Sequence, residues 1–135
     1  MGNRSDVYIV SESTKITCIG NHVYLHWGGV EALNVALDGL RCVVVGADRV
    51  GSGVVTSSVL DILFATQDEV VVTPFAAADI DEYVEQTRNG EHPVLVIDAV
   101  RGTVTVRGGS SSHSVGFDEL SWSDPDLRGA LAEEL

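Results

Sequence analysis

Four groups of residues in this chain are of types that do chemistry. The segment Gly46-Ala47-Asp48-Arg49 closes an apolar run from Cys42 to Val45. An Asp beside an Arg at the carboxyl end of a buried strand stands where open α/β sheets gather ligand-binding groups, so Asp48 would serve as an acid and Arg49 as a phosphate clamp, or the two would pair. Two thiols, Cys18 and Cys42, lie 24 residues apart, with no CxxC spacing and no histidines at zinc-finger distance. Buried thiols acting as small hydrophobes are the plainer expectation for them. The histidines are His22, His26, His92 and His113. His22 and His26, four apart on a strand, would share a face about 13 Å apart, too far to chelate one ion. Ser110 to Ser114 around His113 has no nucleophile-elbow spacing, and Gly46 to Gly53 lacks both the GxGxxG order and the lysine of a phosphate-binding loop. No metal or cofactor is implied. Last, Trp27 precedes Gly28-Gly29, and an indole beside backbone open to close approach is a common partner anchor. A core tryptophan capping the sheet is the competing reading.

The elements that must position these residues follow from periodicity and punctuation. Val7 to Val10, Lys15 to Ile19 and Val23 to Trp27 read as short strands of an antiparallel meander, with Gly20-Asn21 as a hairpin turn. Gly28-Gly29 breaks the strand, and Val30, Leu33, Ala36, Leu37 and Leu40 recur on one helical face until Gly39 or Arg41. Cys42 to Val45, apolar on both faces, reads as a doubly buried strand, followed by a glycine-rich loop from Val50 to Val55. Ser58 with Asp61 predicts a capping box for an apolar helix to be buried. Glu69 to Thr73 is a strand closed by Pro74, and Asp79 with Glu82 caps a solvated acidic helix, Ile80 to Arg88, ending at Asn89-Gly90. Val94 to Ile97 and Thr103 to Arg107 form a hairpin, Gly108 to Ser114 a loop, and Val115 to Trp122 a last strand or short helix. Leu127, Leu131 and Leu135 mark a terminal helix.

At 135 residues the chain is one domain's worth, and its composition, 44% hydrophobic and 21% charged, is that of a folded protein. Twenty Asp and Glu against eight Lys and Arg give a net charge of −12. Such a surface does not grip phosphate backbones, so nucleic acid is excluded as an expected partner. Lys15 is the only lysine, and this acidic, lysine-poor balance is compatible with a halophilic, high-salt cytoplasm, where screening weakens repulsion among carboxylates. There is no apolar run of membrane-spanning length, no signal-peptide pattern and no myristoylation pattern, which leads to the expectation of a cytoplasmic protein without membrane contact.

Three resemblances add to this reading. The GADR segment, with Val43 to Val50, Gly53, a helix from Ser58, and then Val70 to Pro74 with Asp79, resembles the methylthioribose-1-phosphate isomerase superfamily. That resemblance implies Asp48 as catalytic acid and Cys18, in Ile16-Thr17-Cys18-Ile19, as its partner, although Thr56-Ser57-Ser58 stands where the family has Asn-Lys. Lys15 to Leu37 is similar to the third strand, fourth strand and first helix of proteasome-like Ntn hydrolases, and Pro93 to Gly116 resembles a later hairpin and turn of that family. This implies an αββα sandwich. Ntn catalysis uses a Thr, Ser or Cys freed as residue one. Met1-Gly2-Asn3-Arg4 leaves too little chain before Val7 for that strand and nucleophile, so the expected relative is a scaffold without the activity. Gly2-Asn3-Arg4 with Tyr24 to Gly29 also resembles small uncharacterised bacterial and phage proteins, which bring no function with them.

The fold expected is α+β, a largely antiparallel sheet with three or four flanking helices in a single domain over 1–135. The function expected is a non-catalytic binding or assembly protein, engaging a protein partner or its own copies, with Trp27, Gly28, Gly29 and Arg49 as binding residues. The alternative is a small sugar-phosphate isomerase-like enzyme using Asp48 and a cysteine.

Overall fold

The structure, a computed structural model, describes residues 4–45, 50–89, 92–108, 111–120, 125 and 127–130. Its centre is a six-stranded sheet in the order β3-β2-β1-β4-β5-β6, built from β1 (Ser5–Ser13), β2 (Cys18–Leu25), β3 (Val70–Ala77), β4 (Val94–Asp98), β5 (Thr103–Gly108) and β6 (Ser111–Gly116). Only β1 and β4 run parallel; every other neighbouring pair is antiparallel. The two parallel strands are also the most apolar, Val7-Tyr8-Ile9-Val10 and Val94-Leu95-Val96-Ile97, and all eight residues are buried because helices cover both faces. The fold is α+β, as expected. Among the described residues there is one sheet, where an αββα sandwich has two stacked sheets.

Helices α1 (Gly29–Val44) and α2 (Ser52–Thr66) pack on one face, over Val7, Ile9, Val23, Leu25, Leu95, Ile97, Val104 and Val106. Helix α3 (Ile80–Thr87) covers part of the other, where Tyr8, Val10, Phe75, Val84, Val94 and Val96 cluster. No described helix is long and apolar enough to cross a membrane.

Several expectations change here, each for a local reason. Gly20-Asn21 is not a turn: the chain reverses at residues 14–17, where Thr14 N–H bonds the Thr17 carbonyl at 2.8 Å, and Gly20 sits inside β2 opposite Val10. Gly20 is glycine because a Cβ there would collide with the carbonyl oxygen of Ile9. Cys42 to Val45 is not a strand: α1 continues through it, since Leu33, Leu37, Leu40 and Val44 keep one buried stripe at helical spacing. Gly39 does not end the helix. A Cβ on it would come within 2.6 Å of Ile62 Cγ2, so it lets α2 cross close, and Ser58 Oγ donates to the Gly39 carbonyl at 2.8 Å. Ser58 is therefore an interior residue of α2, which begins at Ser52, and the predicted glycine-rich loop is its first turn. Nor is α2 fully buried, for it buries Val55, Val59 and Leu63 while Val54 and Phe64 are exposed.

Pro74 does not close its strand but lies within β3, at the sheet edge where a residue without N–H is tolerated. Asp79 caps α3 as expected, its side chain accepting from Asp81 N–H at 2.9 Å and Glu82 N–H at 3.4 Å. The acidic face of α3 is not simply solvated: Arg107 of β5 reaches Asp81 at 3.2 Å and Glu85 at 3.0 Å. Ser111 to Ser114 belong to β6 rather than a loop, and a 3-10 turn, Phe117–Glu119, follows. Leu127 is fully buried within residues 127–130, while the expected Leu131 and Leu135 lie outside the described residues.

Candidate functional site

Two polar and aromatic groups stand out, both on the α3 side of the sheet, where side chains of even-numbered residues of β1 and β2 project. The first is internal. Asp6 is 1% exposed, and its Oδ1 lies 2.7 Å from His22 Nε2 while its Oδ2 accepts the Asn89 N–H at 2.9 Å. The two residues are diagonal cross-strand neighbours, since β1 and β2 pair Asp6 with Tyr24 and Tyr8 with His22. The Tyr8 ring stacks on the His22 ring at 4.3 Å and 8°, and its hydroxyl is 2.9 Å from Thr87 Oγ1. Burial pushes the Tyr8 hydroxyl well above the usual tyrosine range, and the Thr87 hydrogen bond offsets only part of this. Tyr83 closes the group from α3, edge-on to Tyr8 at 6.0 Å and stacked on Phe75 at 4.5 Å. The network ties β1, β2 and the end of α3 into one unit. Its aromatic rings surround His22, so its evident work is structural.

The second group is exposed. Just past β2, Tyr24 Oη lies 2.7 Å from His26 Nδ1, and the His26 ring meets Trp27 edge-on with centroids 4.5 Å apart. Trp27 is 50% exposed, so the indole does not cap the core. On the sheet edge the cross-strand partner of Tyr24 is equally open: Val71 in β3 is 51% exposed. Trp27 thus presents an apolar surface against a histidine that is itself hydrogen-bonded to Tyr24, a contact that narrows the freedom left to the indole.

The glycines beside it have internal reasons for being glycine. Gly29 is buried and has φ +56°, a left-handed conformation that starts α1. A Cβ on Gly28 would stand 2.6 Å from Gln67 Oε1, at the end of α2. Both shape the turn that aims Trp27; Gly29, being buried, presents no surface to a partner. Two shallow hollows lie elsewhere. One of about 260 Å³ is lined by Ala77, Asp79, Glu82, Tyr83 and Gln86 at the far end of β3, and one of about 680 Å³ by Gly51, Gly53, Val54, Ser57 and Asp61 along α2.

Asp48 and Arg49 lie outside the described residues, as does Ser110. Cys18 is half-buried on the α3 side, paired with Ser13 and Ala77, whereas Val44 and Val50, which flank residues 46–49, pack on the opposite face. The sheet thus stands between Cys18 and the anchor points of that segment. Cys42 is exposed on α1, contrary to the expectation of two buried thiols, because its helical position faces away from the stripe of Leu33, Leu37, Leu40 and Val44. In the native protein, iodoacetamide should alkylate Cys42 at a rate close to that of the unfolded chain and Cys18 at least about tenfold more slowly, since access controls the reaction. Peptide mapping after timed quenching checks this, and equal rates would show that β2 opens at Cys18. The histidines do not assemble a site: no group of three metal-ligating side chains occurs among the described residues.

Sequence reading singled out Trp27 but missed its two supports, and missed Asp6 with His22. The signal was the β1/β2 register. Placing the reversal at residues 14–17 would alone have set Tyr8 opposite Val23; only with the one-residue register slip between Val10 and Glu12 does Tyr8 fall opposite His22 and the Asp6–His22 diagonal follow.

Comparison with known proteins brings no family: no family model, no curated protein and no solved structure matches this chain.

Proposed function

We propose that the protein is a non-catalytic binding or assembly protein that engages another protein chain at the Trp27 end of its sheet. One observation carries this reading: a half-exposed tryptophan meets the His26 ring, which is hydrogen-bonded to Tyr24, the cross-strand partner of Val71 on an apolar edge strand that has no further strand beside it among the described residues. Tryptophan is the residue type most enriched among the few that dominate binding energies, and a preordered one loses little entropy on docking. The partner is a protein rather than a nucleic acid because the chain carries a net charge of −12.

The test is site-specific photo-crosslinking in the source cell, with a benzophenone amino acid replacing Trp27. The expected result is one discrete adduct whose cross-linked peptide maps to a single segment of one partner. The same probe at Ser112, exposed on β6 four strands from β2, serves as the control. Equal, diffuse labelling from both positions, or none from position 27, would overturn the reading.

A further inference from the structure

The outer edge of β3 has no strand beside it among the described residues. Its sequence, Val-Val-Val-Thr-Pro-Phe-Ala-Ala from Val70 to Ala77, has no charged residue, and neither has Ala78. Natural edge strands are commonly guarded by a charge, above all a lysine, projecting from the strand itself. Here the guard along the strand is Pro74 alone. Val71, Thr73, Pro74 and Ala76 are exposed, so no described element covers most of this edge. Pro74 removes a single donor from that ladder.

The ends of the strand differ from its middle. Asp68 and Glu69 precede it, and Asp79, Asp81 and Glu82 follow. Four of these five are engaged at most in local contacts, the fifth, Asp81, pairs with Arg107, and all five are exposed. An apolar edge bracketed by carboxylates selects its occupant by charge. A second copy fits poorly: the antiparallel register that matches Val70 with Ala77 would set Asp68 against Asp79 twice, between two chains each of charge −12. A segment with an apolar, β-branched middle and lysines or arginines at its ends meets both requirements in either strand direction.

We propose that β3 accepts an extended protein segment with basic ends, which adds a seventh strand to the sheet and lays its first side chains against Val71 and Tyr24 beside Trp27. This is strand addition, in which main-chain hydrogen bonds supply affinity and alternate side chains supply selectivity. The inference rests on the binding reading above and names the partner's chemistry. Acidic brackets also steer such a segment, so its association should quicken as salt is lowered.

The experiment titrates the intact protein with a capped ten-residue peptide of alternating valine and threonine at its six central positions and two lysines at each end, followed by amide NMR. A second peptide replaces the lysines with glutamates. The expected result is slowed amide exchange and shifted signals along Val70 to Ala77, with roughly tenfold tighter binding of the lysine-ended peptide at low salt, the scale of a few exposed ion pairs. That preference should shrink at high salt and in Asp68→Lys, a substitution at an exposed loop residue that leaves the fold intact. Equal binding of the two peptides along β3 would overturn the charge-selected partner while leaving a binding surface in place. No binding along β3, with a discrete adduct still formed from position 27, would overturn strand addition and spare the reading above. Protection of β3 without peptide, together with a dimer by light scattering, would make a second copy the occupant and overturn the proposal.

Discussion

Gly20→Ala should destabilise the protein by about 3 kcal/mol or more and lower its melting temperature by roughly 10 °C, the scale of an overpacked core in a domain of this size. The atoms in the way are all main chain: beyond the collision with the Ile9 carbonyl oxygen, the Ile9 carbonyl carbon is 2.9 Å and Val10 Cα 3.0 Å from the added carbon. A side chain in the way can rotate aside, but a backbone cannot without moving its strand. Here that strand is β1, held on both sides, Ile9 pairing with Asn21 in β2 and with Ile97 in β4. The close approach has a cause in the ladder. Next to Gly20 the β1/β2 register slips, Val10 facing Gly20 but Glu12 facing Ile19, and Ser11 Oγ donates to the Ile19 carbonyl at 3.3 Å across the irregularity. A bulge sharpens local twist and brings the strands together on one side. Gly53→Ala is the control, since nothing lies within 4 Å of a Cβ there and the residue is in α2. It should raise stability by about 0.5 to 1 kcal/mol through helix propensity alone. Thermal and urea unfolding of both variants decide the matter, and a Gly20→Ala melting temperature unchanged within about 2 °C would mean that the bulge is free to relax.

What the sequence revealed, and what it hid, divides along this same line between local and cross-chain causes. The Asp79 cap of α3, the stripe of Leu33, Ala36, Leu37 and Leu40 on α1 and the alternation of Thr103 to Arg107 are local patterns, and all are present as read. Gly20 and Gly39 were misread as a turn and a helix end because glycine marks both chain reversal and close approach, and only the neighbour tells which. The neighbours, Ile9 and Ile62, are 11 and 23 positions away. Cys42 to Val45 reads as a strand because a short apolar run has the same appearance in a buried strand and at the end of an amphipathic helix. In sequence Pro74 reads as a stop for β3, because its tolerance depends on β3 being an edge, a fact of topology. The Trp27 surface was legible in part: the indole and its glycines stand together in sequence, but the clamp by His26 and Tyr24 depends on where β2 ends. The Asp6–His22 pair was hidden because it needs a register and a face together.

That pair carries the second large effect. Asp6→Ala should cost about 3 kcal/mol, because it leaves the buried His22 N–H without its acceptor and also removes the part-buried bonds from Asn89. With the carboxylate accepting, His22 Nε2 is the protonated nitrogen, and Asn89, at the exit from α3, donates through its N–H and, at 3.5 Å, its side-chain Nδ2. Asp6→Asn keeps an acceptor oxygen for one of the two, so it should lose less, about 1 kcal/mol. The loss from Asp6→Ala should have a local signature: hydrogen exchange at the Asn89 amide should quicken more than at Val96 in the sheet centre, since the contact that pins the end of α3 to β1 is the one removed. His22→Leu completes a double-mutant cycle. Once His22 is leucine, removing the Asp6 carboxyl no longer abandons the imidazole donor and leaves only the Asn89 bonds to lose, so the combined loss should fall short of the two single losses by about 1 to 2 kcal/mol, a coupling typical of residues in one hydrogen-bonded unit. Additive losses would mean that the 2.7 Å contact is geometry without energy. A coupling of the expected size would make this pair an energetic tie that joins β1, β2 and the end of α3, the same three elements on which Tyr8, His22 and Tyr83 pack together.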